Sequence, residues 1–485
     1  MKRAVSGLLA GALLVLTAAC SGGNAGDSAK SGADQVQVWL TTADKSKLLS
    51  QEENVKLTAS KGSGEEDIVL DANTQYQQMD GFGASMTDSS AYLIGSKLSE
   101  EQRMTLMNKL FDHEQGIGIS YMRIPLGASD FARTQYSYDE MPAGETDESL
   151  GKFSIDHDKE FLIPTLKQAL AVNPDLKLMG SPWSAPGWMK TSDSMIGGSL
   201  KQEAYGPYAD YFTKTIQAFE AEGVPFDAIT PQNEPHYVPD NYPGMRMEPY
   251  EQAEFIKNNL GPAFEKNGIK TKIVIWDHNW DEPYYPITVL NDLDARKYID
   301  GTAFHGYAGE VGSQSQVHDL HPDKNLYFTE STGGAWATEF GGNLKWDMHN
   351  LIIGATRNWA KVVLKWNMAL DENYGPTIGG CQDCTGVVTI NQQTGDVTYN
   401  TEYYSFGHAS KFVRSGAYRI ESGPSDSEGI EQVAFQNPDG SIVLVAMNSA
   451  AEERELRASL GEKSFSYKLP AGAAATFVLS AHAGE

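Results

Sequence analysis

Eight short apolar runs, separated by segments with helical periodicity, most constrain the fold of this 485-residue chain. Strands that alternate with helices pair in parallel, because each crossover helix returns the chain to the same edge of the sheet. Helical spacing is clear in Tyr208, Phe212, Ile216 and Phe219, which lie between the third and fourth runs. The predicted strands are 78–83, 119–124, 176–181, 228–234, 272–277, 301–307, 326–330 and 362–367.

This alternation places the chain in the α/β class. Eight strand–helix units in about 320 residues predict a (β/α)8 TIM barrel. The alternative is an open, doubly wound sheet. We favour the barrel because no Gly-rich dinucleotide fingerprint opens a helix in the sequence.

Segments of β character lie at both ends of the chain. Neither end is long enough for a sound sheet alone, so we expect the two to meet in one β-sandwich beside the barrel. A strong hairpin turn, Asn437-Pro438-Asp439-Gly440, joins two of the C-terminal segments. The predicted sandwich strands are 35–40, 54–58, 67–70, 431–435, 441–445, 465–469 and 474–479.

The first 20 residues have the pattern of a targeting segment. Lys2 and Arg3 precede an apolar core, residues 8–16, that is too short to span a bilayer. The run that ends at Cys20 resembles a bacterial lipoprotein signal, which implies a lipid anchor on Cys20. The alternative is an ordinary secretory signal in which Cys20 is incidental, and either one predicts export.

The predicted organisation follows from these segments. A signal peptide occupies residues 1–20, and a Gly-, Ser- and Ala-rich stretch at 21–34 is predicted to be a flexible tether. Residues 35–75 are the N-terminal part of the sandwich, 76–410 the catalytic barrel and 411–485 the C-terminal part of the sandwich. The formal charge of −26 argues against a nucleic-acid partner, which requires a basic face.

Two glutamates follow predicted strands that are far apart in sequence. Glu234 lies in Asn233-Glu234-Pro235 at the end of the fourth strand, and Glu330 ends the seventh. One such Glu alone would be read as a solvated loop residue. The carboxyl ends of barrel strands meet at one face, however, and a pair of carboxylates there is what a two-carboxylate glycosidase requires.

Aromatic, amide and charged residues follow the other strands and suit a sugar site. Arg123 lies in the second strand, and two predictions for it carry equal weight. It could pair with the Glu330 carboxylate, or it could form a salt bridge under the barrel floor. The candidate residues at the remaining strand ends are Asp88, Trp183, Trp276, Asp277, His305, Tyr307 and Trp366.

The motifs at these strand ends resemble glycoside hydrolase family 30, the glucosylceramidase and β-1,6-glucanase family. They are residues 81–83 (Gly-Phe-Gly), 181–190 (Ser-Pro-Trp-Ser-Ala-Pro-Gly-Trp-Met-Lys), 233–235 (Asn-Glu-Pro) and 305–307 (His-Gly-Tyr), with Glu330 at the seventh strand. The resemblance covers about residues 78–411. It implies a retaining β-glycosidase in which Glu234 is the acid/base and Glu330 the nucleophile.

The same resemblance assigns the surrounding residues. Asn233 would bind the sugar 2-hydroxyl, and Asp88, Trp183 and Trp366 would hold the glucosyl unit. The resemblance places Arg123, His305 and Tyr307 around the nucleophile and Tyr242 at the rim. It implies no metal and no cofactor.

Two segments depart from the mammalian glucosylceramidase pattern, residues 236–240 and the loop 379–384 with Cys381 and Cys384. In an exported protein this Cys-x-x-Cys pair is expected to form a disulfide. A zinc site would need about four ligands where the sequence offers two thiolates, and a thioredoxin-like role lacks its βαβ context.

We therefore expect an exported, membrane-anchored β-glucosidase, periplasmic or at the cell surface, that acts on a carbohydrate, with β-1,6-glucan ahead of other substrates. One alternative is a glucosylceramidase that acts on a glucolipid. Another is a carbohydrate-binding lipoprotein that has no catalytic activity. A xylan-directed enzyme of the same family is a further reading, which would need a different sugar pocket.

Overall fold

The computed structural model describes residues 34–60, 68–424, 426–427, 429–481 and 483. The predicted signal peptide, Cys20 and all of the predicted tether except Asp34 lie outside the described residues. Among the residues described, no helix is both long enough and apolar enough to cross a membrane.

Eight parallel strands close into a barrel, in which each strand pairs with the next along the chain and the eighth pairs with the first. The TIM-barrel prediction is therefore confirmed. All eight predicted strands are present with shifted bounds; the fourth has only two residues, so Glu234 lies in the loop after it. The barrel strands are Gly81–Ser85, Tyr121–Pro125, Lys177–Ser181, Ala228–Ile229, Lys272–Asn279, Ile299–His305, Asn325–Glu330 and Ala360–Asn367.

Helices pack around the barrel through their apolar faces. In the helix Tyr205–Ala221 the residues at helical spacing, including Tyr208, Phe212 and Ile216, are buried as predicted. The other helices are Asp88–Lys97, Glu100–Phe111, Leu162–Val172, Pro249–Phe255, Gly261–Asn267, Tyr284–Asn291, Leu293–Arg296, Ser313–Leu320, Phe340–Trp346 and Thr401–Ser410. The described residues also form the π-helical segments Ile256–Leu260 and Asp347–Ala355 and the 3-10 turns Gly187–Met189 and Gln202–Ala204.

The interior of the barrel is filled, which leaves only its C-terminal end for a site. A buried apolar layer that includes Tyr121, Tyr327 and Leu364 crosses the barrel. At the opposite end the Asp80 carboxylate accepts a hydrogen bond from Lys177 at 2.6 Å and forms an ion pair with Lys361 at 3.0 Å. The strand ends that face the other way carry the predicted site residues.

The two ends of the chain form the predicted sandwich. Gln35–Thr41 pairs antiparallel with Ala474–Leu479, so that Val38 faces Phe477. Ile68–Gln78 pairs with both Tyr418–Glu421 and Arg454–Leu460 and connects the two layers. The other strands are Ser50–Gln51, Val55–Lys56, Thr58–Ala59, Asp426–Ser427, Ile430–Gln436, Ile442–Asn448 and Lys463–Leu469.

The sandwich differs from the sequence prediction in detail. Residues 54–58 contribute two short strands instead of one. The strands Tyr418–Glu421 and Arg454–Leu460 were not predicted. Both are rich in polar residues and show no clear alternation of polar and apolar residues. The proposed domain limits stay predictions, and Ile68–Gln78 runs across the one at residue 75.

Candidate active site

A cleft of about 1020 Å³ opens at the C-terminal end of the barrel, and both Glu234 and Glu330 line it. A carboxylate oxygen of each lies within 4.8 Å of the other and of a ring nitrogen of His305. Two residues that are 96 positions apart in the printed sequence are therefore brought to one point. The side chain of Glu234 remains 15% exposed, while that of Glu330 is 7% exposed.

Glu330 is held at both of its carboxylate oxygens. Arg123 donates from Nη1 to Oε2 at 2.5 Å, and the Tyr307 hydroxyl donates to Oε1 at 2.8 Å. A guanidinium in contact with a carboxylate favours its ionised form, and so does a hydroxyl donor. The side chain is thereby fixed in one orientation toward the cleft.

Arg123 links the strand ends beneath the cleft. Its Nη2 donates to Asn233 Oδ1 at 2.6 Å and to Asp277 Oδ2 at 2.7 Å, and the residue is fully buried. The structure thus decides between the two interpretations of Arg123, because the guanidinium contacts Glu330 at the C-terminal end of the barrel and not the ions at the barrel floor. Asn233 must present its oxygen to Arg123, so its amide N–H groups are left for the cleft.

Asp277 organises the floor of the site. Trp276 and Asp277 adopt positive φ values of 71° and 62°, and the pairing register of the fifth strand shifts between Trp276 and His278. Such a bulge re-aims a side chain. The Asp277 carboxylate consequently faces the barrel axis, where it accepts hydrogen bonds from Ser181, Thr230 and Thr329 as well as Arg123.

Glu234 also adopts a positive φ, 44°, with its backbone N–H bonded to the Asp277 carbonyl at 3.0 Å. Non-glycine residues in this region are uncommon and cluster at functional sites. The backbone strain at residues 234, 276 and 277 is therefore concentrated at the bottom of the cleft.

His305 bridges two carboxylates. Nδ1 lies 2.9 Å from Glu234 Oε1, and Nε2 lies 3.0 Å from Asp277 Oδ1. Burial lowers the pKa of His305, but the charge of Glu330 and the hydrogen bonds to Asp277 and Glu234 more than offset this and raise the pKa to about 9. The raised pKa favours the imidazolium form, which can donate a hydrogen bond from each ring nitrogen.

The two glutamates titrate as a coupled pair. Burial raises the pKa of Glu330, and the charge of Glu234 adds to this against the opposing charges of His305 and Arg123. Burial also raises the pKa of Glu234, but the hydrogen bond from His305 and the charge of His278 lower it overall. These directions run opposite to the predicted roles. Each carboxylate contacts a cation, Glu330 the permanent charge of Arg123 and Glu234 the titratable ring of His305, so the predicted roles stay predictions.

Aromatic side chains form one wall of the cleft. Trp183 and Trp366 are stacked, with ring centroids 4.9 Å apart and planes at 22°, and the Arg123 guanidinium lies 4.8 Å from the Trp183 ring. Tyr242 packs against the same cluster and lines the cleft, as predicted for a rim aromatic.

Asp88 is held by two other side chains, and its predicted contact with the sugar stays a prediction. Arg133 and His157 hold its carboxylate at 3.0 and 3.1 Å. Burial raises its pKa, but the hydrogen bonds from His157 and Arg133 more than offset this and lower it to about 2. Asp88 is thus a fixed anion that anchors the segment beginning at Asp130.

Asp130 and His278 line the cleft and were missed. Burial, followed by the charges of Glu330 and Glu234, raises the pKa of Asp130 well above its usual range. Asp130 follows the end of the second strand by five residues. A carboxyl in a loop at the end of a barrel strand is a sequence signal that could have identified it as a candidate. His278 lies 3.8 Å from Glu234. The bulge beside Asp277 sets the direction of its side chain, and no pattern in the sequence predicts that bulge.

Cys381 and Cys384 form the predicted disulfide. Both sulfurs belong to the wall of the cleft, where they pack with Trp366 and Phe131. The bridged loop pairs with the segment after Glu330, since Gly334 lies opposite Cys384 and the Ala335 N–H donates to the Asp383 carbonyl. The backbone pairing therefore connects the loops that follow the seventh and eighth strands, and the disulfide lies within the second of these loops.

Glu234, His305 and Glu330 form the one group of three possible metal donors within the described part of the chain. A metal at this point would compete with the Arg123 guanidinium for Glu330, and both His305 nitrogens face carboxylate oxygens. The donor set is thus already committed to hydrogen bonds, and the prediction that no metal takes part stays a prediction.

Two family models match this chain. The glycosyl hydrolase family 30 TIM-barrel domain matches residues 79–413, and the family 30 beta sandwich domain matches residues 416–477. The chain belongs to glycoside hydrolase family 30. The predicted family membership is confirmed, and with it the enzyme class, a glycoside hydrolase.

Relatives of this chain include endo-1,6-β-glucanases and glucosylceramidases. An endo-1,6-β-D-glucanase of Neurospora crassa is 34% identical over 445 residues, 86% of this chain and 89% of the relative. The lysosomal acid glucosylceramidase of Mus musculus is 31% identical over 422 residues, 81% of this chain and 79% of the relative. The structure of this chain superposes on that of a solved endo-β-1,6-glucanase with a TM-score of 0.86 at 33% sequence identity. The alignment covers 92% of this chain and 99% of the glucanase chain.

Proposed function

We propose that this family 30 protein is a retaining β-glucosidase that hydrolyses β-1,6-glucan by double displacement. The observation that carries the mechanism is the distance within 4.8 Å between the carboxylates of Glu234 and Glu330. Retaining glycosidases place their carboxyls about 5 Å apart, whereas inverting enzymes leave room for a water molecule between them.

In the first step Glu330 attacks the anomeric carbon. Arg123 and Tyr307 contact this carboxylate, favour its ionised form and fix its orientation. Glu234 gives its proton to the glycosidic oxygen as that bond breaks. The products of this step are a glycosyl–Glu330 ester and the released leaving group.

In the second step Glu234 is a base. Once Glu330 is esterified its negative charge is gone, so the carboxylate form of Glu234 becomes easier to maintain. Glu234 takes a proton from water, which attacks the same anomeric carbon and frees Glu330. The His305 imidazolium, bonded to Glu234, stabilises the negative form that this step needs.

The surrounding side chains would hold the sugar. The free amide N–H groups of Asn233 are placed to donate to the 2-hydroxyl, as the family resemblance implies. Asp130, which lines the cleft, is a further candidate for a hydroxyl contact beside the predicted Asp88. Trp183 and Trp366 supply the apolar face.

Two features favour glucan over glucolipid. The similarity to endo-1,6-β-D-glucanases is slightly higher than that to glucosylceramidases. In the described cleft wall, the large apolar side chains that remain more than a third exposed are all aromatic: Tyr237, Tyr307, Trp336 and Trp346. Aromatic faces suit pyranose rings, whereas acyl chains would be expected to meet aliphatic side chains.

A substrate panel tests this proposal. We expect the highest kcat/KM on β-1,6-glucan, below it glucosylceramide and β-1,3-glucan, and cleavage of an aryl β-glucoside but not of an aryl β-xyloside. Glu330→Gln is the matched control for contaminating activity. Efficient cleavage of glucosylceramide without action on β-1,6-glucan would reverse the order, and cleavage of xylosides would favour the xylan-directed reading. If no β-glucoside is turned over, the result would favour the alternative of a carbohydrate-binding protein without catalytic activity.

We also propose that the protein is exported and lipid-anchored, on the sequence of its first 20 residues alone. Cys20→Ala should move the protein from the membrane fraction to the soluble fraction, and mass spectrometry of the native N-terminus should find acylated Cys20. An unmodified Cys20, with unchanged partitioning of the variant, would contradict the anchor.

A further inference from the structure

Two exposed indoles lie on the cleft wall, outside the Trp183–Trp366 stack. Trp336 is 57% exposed and Trp346 is 39% exposed, and both line the cleft that contains the two glutamates. Large apolar side chains exposed in a groove mark a binding surface. The catalytic mechanism uses neither of them.

Trp336 is held by the backbone beneath it. A Cβ placed on Gly334 would lie 2.0 Å from Cζ3 of the Trp336 ring, so the indole packs directly against the glycine backbone. Gly334 is itself fixed by its pairing with the disulfide-bonded Cys384. The Asn343 amide donates to the Ala337 carbonyl at 2.7 Å and closes the other side of this loop.

Trp346 is held by a buried cation. The Lys365 ammonium lies 5.6 Å from the centre of the Trp346 ring and 2.9 Å from Asp347 Oδ1. Ser405 donates to the second Asp347 oxygen at 2.6 Å. Lys365 and Asp347 are each 4% exposed in their side chains, so the indole rests on a rigid support.

Glu402 supplies a polar group at the same wall. It is 5% exposed and lines the cleft, and no side chain among the described residues donates a hydrogen bond to its carboxyl. A Cβ on Gly333 would lie 1.9 Å from Glu402 Oε1, so only glycine admits this carboxyl beside the chain after Glu330. Burial raises the pKa of Glu402 to about 7, with Lys365 opposing and Asp347 adding to the shift.

We propose that Trp336, Trp346 and Glu402 form a second sugar subsite, which holds a further pyranose unit of the β-linked glucan chain beside the unit that is cleaved. The indoles would cover the apolar faces of that unit, and Glu402 would bond its hydroxyl groups. This inference rests on the proposed glucan substrate. It gives the protein a preference for oligosaccharides over aryl monoglucosides.

The test measures how binding depends on chain length. In the inactive Glu330→Gln background, calorimetry with β-1,6-linked gluco-oligosaccharides from the disaccharide to the pentasaccharide should show affinity that rises with length. Adding Trp336→Ala should weaken binding of the longest oligosaccharide about 10-fold, the loss expected for one aromatic contact. Trp336→Tyr should recover most of the loss. Glu402→Gln should weaken the same oligosaccharides.

Tyr250→Ala is the matched control, because Tyr250 is an exposed aromatic, 63% accessible, that does not line the cleft. In the catalytically intact protein, Trp336→Ala should lower kcat/KM for the pentasaccharide about 10-fold more than kcat/KM for the aryl β-glucoside. Equal losses on both substrates, or affinity that does not depend on length, would overturn the subsite. A wild type that turns over aryl β-glucosides but binds no β-1,6-linked oligosaccharide would refute the glucan substrate, and with it the subsite as stated.

Discussion

Replacing Glu330 by Gln should lower kcat by about 10⁴-fold or more on every β-glucoside, whatever its leaving group. An amide cannot form the glycosyl ester, so the first chemical step is lost. Steady-state assays with an aryl β-glucoside and with β-1,6-glucan measure the effect. Because no covalent intermediate forms, rapid-quench experiments should show no burst of released aglycone.

The same substitution has a readout that does not depend on turnover. The charge of Glu330 contributes to the raised pKa of His305, which is about 9. Removing that charge should lower the His305 pKa in an NMR titration, and the circular dichroism spectrum should stay unchanged. A Glu330→Gln protein that keeps near-native activity on aryl glucosides would contradict the assignment of the nucleophile.

Replacing Glu234 by Ala should affect substrates unequally. Loss of the acid should cost about 10³-fold on glucans, whose leaving groups need a proton, and much less on aryl glucosides with good leaving groups. The second step needs a base, so the glycosyl–Glu330 ester should accumulate and be detected by mass spectrometry of the intact protein. Glu234→Gln should behave similarly.

Azide provides the decisive control for this second prediction. It attacks without base catalysis, so added azide should restore turnover in Glu234→Ala and give β-glucosyl azide. In Glu330→Ala the same azide can attack only from the face left open by the missing carboxylate, so any product should be the α-azide. The assignment is wrong if the two variants exchange these products. Native hydrolysis with inverted configuration would refute the retaining mechanism altogether.

Much of the fold was predicted from local patterns. The period of the apolar residues distinguishes strand from helix, and eight alternating units admit few topologies, so the barrel could be predicted. Both catalytic candidates could be predicted as well, because a carboxyl at a strand end is a sequence feature and the barrel brings strand ends together. The short fourth strand shows the limit, since Glu234 lies beyond it in a loop.

The roles of Asp88 and Asp130 could not be separated by sequence. Both carboxyls follow early barrel strands, and either could have contacted sugar. A loop residue, Arg133, folds back onto Asp88 and pairs with its carboxylate. Such an ion pair depends on the path of a loop and not on any local periodicity.

By itself, the sequence determined the fold class, the family and the pair of glutamates, because these depend on short-range pattern and on residue type. Only the tertiary structure decided which side chains contact the two glutamates and shift their pKa values. It brought Arg123 and Tyr307 to Glu330 and His305 to Glu234. Contacts between residues far apart in the chain set distances of a few ångströms, and the strength of a hydrogen bond or ion pair depends on those distances. For that reason the chemistry of this cleft appears only when the chain is folded.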